Sequence, residues 1–360
     1  MTDGSAPGAA LRVLIISDAW HPQVNGVVRT LSTLVDELTL MGHKAEVIGP
    51  DRFTSIPCPT YPEIRLALLP RRRLAKLIAS FMPAAIHIAT EGPLGIAARA
   101  YCRRHGLPFT TAFHTKFAEY LYARTRVPTR LTYSWLRNFH NTGAGTMVAT
   151  RSLAEDLSAR GFTRLKAWTR GVDLSLFRPH DPTQGPRLDW GLPRPIFLYV
   201  GRVAVEKNIG AFLDLDLPGS KVVVGDGPQR AALEQRYPRV HFTGARFGAD
   251  LAAAYAGGDA FVFPSRTDTF GLVLLESLAC GTPVAAYPVT GPRDVVVPGV
   301  GALDEDLRAA ALRALDCDRA ACRAHAETFS WQACTQLFLH NLQPFAHDWA
   351  ADATPAPSLA

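Results

Sequence analysis

Two segments of the sequence combine cations, carboxylates and glycines in a way that suits a phosphorylated ligand. The first, residues 201–208, directly follows a predicted strand and carries Arg202 and Lys207. Two cations at the carboxyl end of a parallel strand can neutralise a diphosphate, and an arginine can contact a phosphate through two parallel hydrogen bonds. Two solvated surface cations are an equally good interpretation of this segment alone.

The second segment, residues 265–283, leads from a strand through a loop into an apolar helix that stops at Gly281. Gly271 leaves backbone N–H groups accessible at the helix N-terminus, where an anion is stabilised. Asp268 and Glu276 can approach one ligand from the same side and accept hydrogen bonds from its hydroxyl groups. A carboxylate buried alone is costly, so Glu276 is a candidate ligand-binding residue. An ion pair with a buried arginine is the alternative.

Two further candidates follow predicted strands in the first half of the chain. The loop at residues 17–27 contains Asp18, Asn25 and Gly26, and a glycine before a helix suggests that the backbone approaches a ligand. Asp18 is explained equally well as a residue that caps the turn. The loop lacks the three glycines of a dinucleotide-binding fingerprint, which argues against NAD. His114 ends another strand, and a structural role there is as good an interpretation as a functional one.

A helix with a basic start and one apolar face is predicted at residues 71–82. This pattern is typical of a helix that lies on an anionic membrane, and a core helix with a solvated basic end is the alternative. The residues assigned to the membrane surface are Arg71, Arg72, Arg73, Lys76, Leu77 and Phe81. Further arginines would extend the basic surface: Arg99, Arg103, Arg104, Arg124, Arg126 and Arg130.

The distribution of charge supports an anionic partner. Of the 38 Lys and Arg and 32 Asp and Glu, residues 1–170 hold 22 and 11. A basic half favours nucleic acid, anionic lipid or a phosphorylated substrate, and no nucleic-acid-binding motif is visible. Six cysteines without a CxxC spacing argue against a zinc site or a disulfide framework and favour reduced cytosolic thiols. We find neither a signal peptide nor an apolar run long enough to span a bilayer.

These segments must be positioned by alternating strands and helices. Short apolar strands alternate with helices up to about residue 170, a Pro- and Gly-rich segment follows, and the pattern then restarts. Such alternation predicts an α/β protein of two tandem Rossmann-like, doubly wound domains. The predicted parts are a flexible N-terminus (1–10), a first domain (11–175), a linker (176–193), a second domain (194–330), a C-terminal helix (331–350) and a disordered tail (351–360).

Together these residues resemble the GT-B glycosyltransferases of family 4, a retaining group that includes lipid glycosyltransferases. The resemblance covers residues 11–345. Asp268 and Glu276 are similar to the family's E-x7-E motif with Asp in the first place. Thr-Asp-Thr-Phe-Gly is similar to the variant of sulfoquinovosyl-, glucuronosyl- and mannosyl-transferases that act on diacylglycerol-type lipids. Residues 201–207 resemble the donor-diphosphate loop, and His114 matches the active-site histidine.

The resemblance implies a cleft between the two domains, with the nucleotide sugar on the second domain and the acceptor on the basic first domain. Arg202 and Lys207 are then expected to bind the diphosphate, and Glu276 the ribose hydroxyls. Asp268 and His114 are expected to contact the transferred sugar. The remaining donor-binding contacts implied are those of Gly26 and of the backbone amides of Phe270, Gly271 and Leu272.

The resemblance also implies a hexosyltransferase, peripheral on the inner face of the cytoplasmic membrane. The first hypothesis is transfer of glucose or glucuronate from a UDP-sugar to diacylglycerol. The alternatives are a GDP-mannose-dependent α-mannosyltransferase acting on a lipid or polysaccharide, and a non-catalytic homologue that binds a membrane or a partner. No nucleic acid is expected as a partner. No cofactor or metal is expected, because such enzymes use Arg and Lys in place of a metal.

Overall fold

The computed structural model describes residues 10–23, 25–58, 61–181, 183 and 188–352. The predicted flexible N-terminus lies outside the described residues except for residue 10, and the predicted disordered tail does so from residue 353. Five residues of the predicted linker, 182 and 184–187, also lie outside them.

The first domain is built on buried parallel strands. In chain order its strands are β1 (Arg12–Ile16), β2 (Lys44–Ile48), β3 (Ser55–Cys58), β4 (Tyr61–Ala67), β5 (Ala85–Ile88), β6 (Thr110–Phe113), β7 (Gly145–Val148) and β8 (Leu165–Ala167). Six of them form one parallel sheet in the order β2-β1-β5-β6-β7-β8, while β3 and β4 form an antiparallel hairpin. Because successive side chains of a strand point to opposite faces, Val13 and Ile15 pack under one helix layer and Leu14 and Ile16 under the other.

Helices cover both faces of this sheet. They are α1 (Gly26–Leu40), α2 (Arg71–Phe81), α3 (Pro93–Arg104), α4 (Phe117–Thr125), α5 (Thr129–His140) and α6 (Arg151–Ala159). α2, α3 and α5 share one core cluster, in which Phe139 of α5 packs with the buried residues of the other two helices. α1 packs on the opposite face through Leu31, Leu34 and Leu38. It stops before Gly42, whose φ of +84° fits the predicted glycine stop.

The second domain repeats the architecture. Its strands are β9 (Ile196–Val200), β10 (Ser220–Val224), β11 (His241–Gly244), β12 (Ala260–Phe263), β13 (Val284–Ala286) and β14 (Gly301–Leu303). Its helices are α7 (Ile209–Leu213), α8 (Arg230–Arg236), α9 (Gly248–Gly257), α10 (Leu272–Ala279), α11 (Pro292–Val295), α12 (Leu307–Ala314) and α13 (Arg319–Ala326). The parallel sheet has the order β11-β10-β9-β12-β13-β14. Its direction of winding reverses between β9 and β12, and open α/β sheets bind ligands outside the strand ends at such a point.

The C-terminal segment returns to the first domain. α14 (Trp331–Asn341) packs Cys334 and Phe338 against Val13 and Ile15 of β1. The helical stretch predicted for residues 331–350 therefore stops at Asn341, and only a short helix follows, α15 (Trp349–Asp352).

The predicted α/β architecture of two parallel-sheet domains is confirmed. Several elements were not predicted: the β3–β4 hairpin, the short edge strands β8 and β14, and helices α4, α5, α11, α12 and α13. Three-residue strands are too short to show a period, and α5 is rich in Thr and aromatic residues that do not favour a helix by themselves.

Candidate active site

The loops that follow β9 and β12 lie side by side at the point where the second sheet reverses. Nζ of Lys207 lies 2.6 Å from Oδ1 of Asp268, so the structure brings together two residues that the sequence assigns to one ligand. Asn208 donates from Nδ2 to the carbonyl of Pro264 at 3.0 Å, and Thr267 donates from Oγ1 to the carbonyl of Glu206 at 3.2 Å. These contacts hold the two loops to each other.

Arg202 belongs to the same loop and is half-buried. Its Nε lies 3.9 Å from Oε1 of Glu206, and its carbonyl accepts a hydrogen bond of 2.7 Å from the hydroxyl of Tyr199. Together with Lys207, it places two cations at the carboxyl edge of the sheet. Asp268 is the adjacent carboxylate, and its Oδ2 is buried without a hydrogen-bond partner among the described residues. A ligand hydroxyl would satisfy that oxygen.

The N-terminus of α10 faces the same region. Gly271 is the residue before the helix, with a φ of +85° that a residue with a Cβ adopts only with strain. The amides of Phe270, Gly271 and Leu272 lie at this helix start, where the first N–H groups have no acceptor within the helix. A Cβ placed on Gly26 would lie 3.8 Å from Leu272, so the start of α1 in the first domain lies against the start of α10.

Glu276 is 2% exposed and joins the two domains. Its Oε2 accepts a hydrogen bond of 2.9 Å from the hydroxyl of Tyr255, and its Oε1 lies 2.5 Å from Nη1 of Arg29 on α1. The alternative interpretation, an ion pair with arginine, is therefore realised, but the arginine is 45% exposed and comes from the other domain. Burial and the neighbouring carboxylate raise the pKa of Tyr255 well above its usual value, so its hydroxyl stays protonated and donates.

His114 lies at the same boundary between the domains. Its carbonyl accepts a hydrogen bond of 2.6 Å from Oγ1 of Thr269, in the loop that carries Asp268. Two residues later, Nζ of Lys116 contacts Oγ1 of Thr290 at 3.2 Å. Burial and a neighbouring arginine lower the pKa of His114 well below its usual value, so the ring is neutral at physiological pH.

Two of the candidate residues have structural contacts that explain them. Asp18 accepts hydrogen bonds from Oγ1 of Thr90 and from the amide of Leu94, each at 2.8 Å, and from the amide of Gly95 at 3.3 Å. It therefore caps the start of α3 and not its own turn, and a role for Asp18 at the ligand stays a prediction. Asn25 accepts from the first amides of α1 and is that helix's N-cap.

The structure corrects part of the role predicted for the basic helix α2. Phe81 is 5% exposed and packs in the core, and Leu77 packs against the same core cluster. Because this apolar face meets the sheet, the idea that Leu77 and Phe81 anchor a membrane is wrong. The basic residues Arg71, Arg72, Arg73 and Lys76 are exposed, as predicted. Just before them, Leu68 and Leu69 are 43% and 94% exposed, a feature that the sequence analysis missed.

Arg29 and Tyr255 were not predicted from the sequence to belong to the site. Arg29 lies three residues after Gly26 on α1. This spacing is the sequence signal that could have revealed it. The described residues hold no group of three or more His, Cys, Asp or Glu arranged to bind a metal ion. Within the same ranges, each helix is too short or too polar to cross a bilayer.

Comparison with known proteins places these features in a family. Family models match residues 24–176 (glycosyltransferase family 4) and residues 194–316 (glycosyl transferases group 1). A GDP-mannose-dependent alpha-mannosyltransferase of Mycobacterium tuberculosis is 33% identical over 80% of this chain and 82% of its own length. The sulfoquinovosyl transferase SQD2 of Arabidopsis thaliana is 35% identical over 70% of this chain and 51% of its own.

Two further matches extend the comparison. An alpha-monoglucosyldiacylglycerol synthase of Streptococcus pneumoniae is 26% identical over 77% of this chain and 71% of its own length. The structure of a sucrose-phosphate synthase from Thermosynechococcus elongatus superimposes with a TM-score of 0.71, covering 91% of this chain and 97% of that one at 22% identity. The chain belongs to glycosyltransferase family 4 and is a hexosyltransferase with the GT-B fold.

Proposed function

We propose that this enzyme transfers a hexose, with retention, from a nucleoside-diphosphate sugar to a diacylglycerol-type lipid at an anionic membrane. The observation that supports membrane binding and a lipid acceptor is the positive charge of one helix layer. α2, α3 and α5, which share a core cluster, contain nine Lys and Arg and no Asp or Glu. Such a surface attracts anionic headgroups.

Exposed apolar side chains lie among these cations. Leu69 is 94% exposed directly before α2, Ile96 is 43% exposed on α3, and Leu131 and Trp135 are 57% and 42% exposed on α5. Cations interleaved with apolar and aromatic side chains suit the boundary between headgroups and acyl chains. The name of the streptococcal relative, a synthase of a glucosyldiacylglycerol, supports a lipid acceptor as well.

The proposed chemistry uses the residues at the boundary between the domains. Arg202, Lys207 and the amides at the start of α10 stabilise the leaving diphosphate, because fixed positive charge meets the charge that develops there. Glu276 accepts the ribose hydroxyls. Asp268, through Oδ2, and His114 contact the transferred sugar.

One experiment tests three nucleotide-sugar donors of two classes, UDP-sugars and GDP-mannose. A UDP-sugar, glucose or glucuronate, is the first hypothesis from the sequence, and the name of the mycobacterial relative supports GDP-mannose. The purified protein is incubated with vesicles containing diacylglycerol and with UDP-glucose, UDP-glucuronate or GDP-mannose, and the lipids are separated by thin-layer chromatography. We expect one donor to give a glycolipid. Transfer to a soluble glycan but not to lipid would refute the lipid acceptor.

The membrane surface has its own test, co-sedimentation with vesicles. Replacing Arg71, Arg72, Arg73 and Lys76 with Ser is expected to weaken binding to anionic vesicles by up to roughly three orders of magnitude, since each cation contributes about 1 kcal/mol at most. The effect should fade at high salt. A matched control removes four exposed cations outside the first domain, through substitution to Ser at Arg178, Arg236, Arg239 and Arg308.

A second variant separates charge from apolar insertion. Leu69→Ser is expected to weaken vesicle binding at high salt too, because the transfer of an exposed leucine into the membrane does not depend on charge. Equal loss of binding in the control and in the fourfold variant would show a general effect of net charge. It would remove this surface from the proposal.

A further inference from the structure

Arg170 is a buried cation that the sequence analysis left without a role. It is 5% exposed, and its Nη1 donates to the carbonyls of Trp168 and Thr169 at 2.7 and 2.9 Å. Its Nη2 lies 3.1 Å from Nδ1 of His114, and its guanidinium carbon lies 4.4 Å from the centre of the Trp168 ring. Among the described residues, no carboxylate lies within ion-pair distance of this guanidinium.

The contact with His114 fixes the position of a proton. A guanidinium carries N–H donors and no acceptor, so Nδ1 of His114 must accept. In a neutral imidazole the other nitrogen then carries the hydrogen. We infer that Arg170 is a positioning residue that holds His114 as the neutral Nε2–H tautomer, so that His114 donates a hydrogen bond at the transferred sugar and does not act as a base through Nε2.

The surroundings of His114 favour the neutral ring. The charged or titratable groups that act on it are Arg170, His87 and His140, and His140 in turn contacts Oε1 of Glu91 at 3.0 Å. Thr269 approaches from the other domain and contacts only the backbone. Burial and the charge of Arg170 both lower the pKa of His114, because each disfavours a second positive charge.

The ring nitrogen of His114 that does not contact Arg170 is Nε2. It is buried and has no hydrogen-bond partner among the described residues. Since buried polar groups in proteins are normally paired, an N–H at this position is suited to a hydroxyl oxygen of a bound sugar. This last step, the contact with a sugar, rests on the proposed function, whereas the tautomer does not.

The tautomer is read directly from nitrogen NMR of the whole protein labelled with 15N-histidine. The two ring nitrogens of His114 are identified from the signals that disappear in His114→Gln. We expect Nε2 to be protonated and Nδ1 bare in the unliganded protein, from pH 8 down through pH 6.5. A protonated Nδ1, or a ring that gains a proton near pH 6.5, would overturn the inference in the native protein, before any Arg170 variant is made.

Variants of Arg170 test whether it causes this state. Arg170→Gln supplies an acceptor and removes the charge, so we expect a mixture of tautomers and a titration of His114 closer to pH 6.5. Arg170→Lys keeps a cation without an acceptor and should restore the Nε2–H form. The matched control is Arg164→Gln, because Arg164 also donates to a backbone carbonyl, that of Gly143 at 3.1 Å. It should leave the His114 spectrum unchanged.

Measurements of turnover test whether the tautomer of His114 contributes to the reaction. Arg170→Gln is expected to lower kcat about tenfold, the effect of losing one hydrogen bond to the sugar, with unchanged affinity for the nucleoside diphosphate and a new fall in activity below about pH 6.5. Unchanged kcat in a variant with an altered tautomer would overturn the role at the sugar. If the native enzyme transfers no sugar, the proposed function fails, but the NMR spectrum of His114 in the native protein should still be as expected. Failure of the proposed function and failure of the tautomer inference are therefore distinguishable.

Discussion

Replacing Glu276 with Gln tests the donor site most sharply. The carboxylate is 2% exposed and is held by the hydroxyl of Tyr255 at 2.9 Å and by Arg29 at 2.5 Å. An amide is nearly the same size and can still accept from Tyr255, so the fold should persist. What is lost is the charge that pairs with Arg29 and that, in the proposed function, accepts hydrogen bonds from the ribose hydroxyls. Hydrogen bonds to a charged group contribute about 1.5–3 kcal/mol. The Kd of the free nucleoside diphosphate should therefore rise about tenfold to a hundredfold.

The matched variant is Asp268→Asn, whose proposed contact is with the sugar. Because Oδ1 of Asp268 lies 2.6 Å from Nζ of Lys207, neutralising it removes a competitor for that ammonium. Affinity for the nucleoside diphosphate should be unchanged or higher, while turnover falls. Titration calorimetry with UDP and with GDP, set beside turnover, measures both effects. If Glu276→Gln binds the diphosphate like the native enzyme, the ribose assignment is wrong.

Three further predictions concern charge and pH. Arg202→Ala and Lys207→Ala should each lower kcat/KM about tenfold to a hundredfold in an intact fold, and near-normal product formation by both would remove them from the site. Because these cations are expected to serve the diphosphate, EDTA should leave turnover unchanged, and restoration of a lost activity by Mg²⁺ would contradict this. Burial lowers the pKa of His87 to about 3, so only the unfolded chain binds that proton as pH falls below about 6.5. The unfolding free energy should then fall by up to about 1.4 kcal/mol per pH unit for this residue, and His87→Gln should reduce that slope in denaturant titrations at pH 7, 6 and 5.

The basic helix α2 shows how an amphipathic pattern can mislead. The sequence places Leu77 and Phe81 on one face, but a periodic apolar face fits a protein core as well as a lipid surface. In the structure the sheet covers that face, and the cations point outward beside the exposed Leu69. The membrane hypothesis therefore still relies on the cations of α2. Its apolar contact with the membrane is now assigned to Leu69 and no longer to Leu77 and Phe81. A local sequence pattern cannot show whether a sheet or a membrane covers the apolar face of this helix.

The sequence by itself determined the features that depend on neighbouring residues. Strand, loop and helix follow one another in the segments around Arg202 and Asp268, and glycines stand where a positive φ is needed, as at Gly42 and Gly271. Backbone geometry and hydrophobic period are local properties, so they can be read from a few consecutive residues. The two parallel sheets, the helix starts and the cations of the candidate site were all predicted in this way.

Only the tertiary structure decided which of these residues meet. Lys207 contacts Asp268 because β9 and β12 are neighbours in the sheet. Asp18 caps a helix 76 residues further along because β1 pairs with β5. Glu276 contacts Arg29, and Nδ1 of His114 contacts Arg170. Each pair is too far apart in sequence for a helix or strand period to relate its two residues. A hydrogen bond or ion pair acts over a few ångströms of space, and the order of strands, not the order of residues, sets that distance.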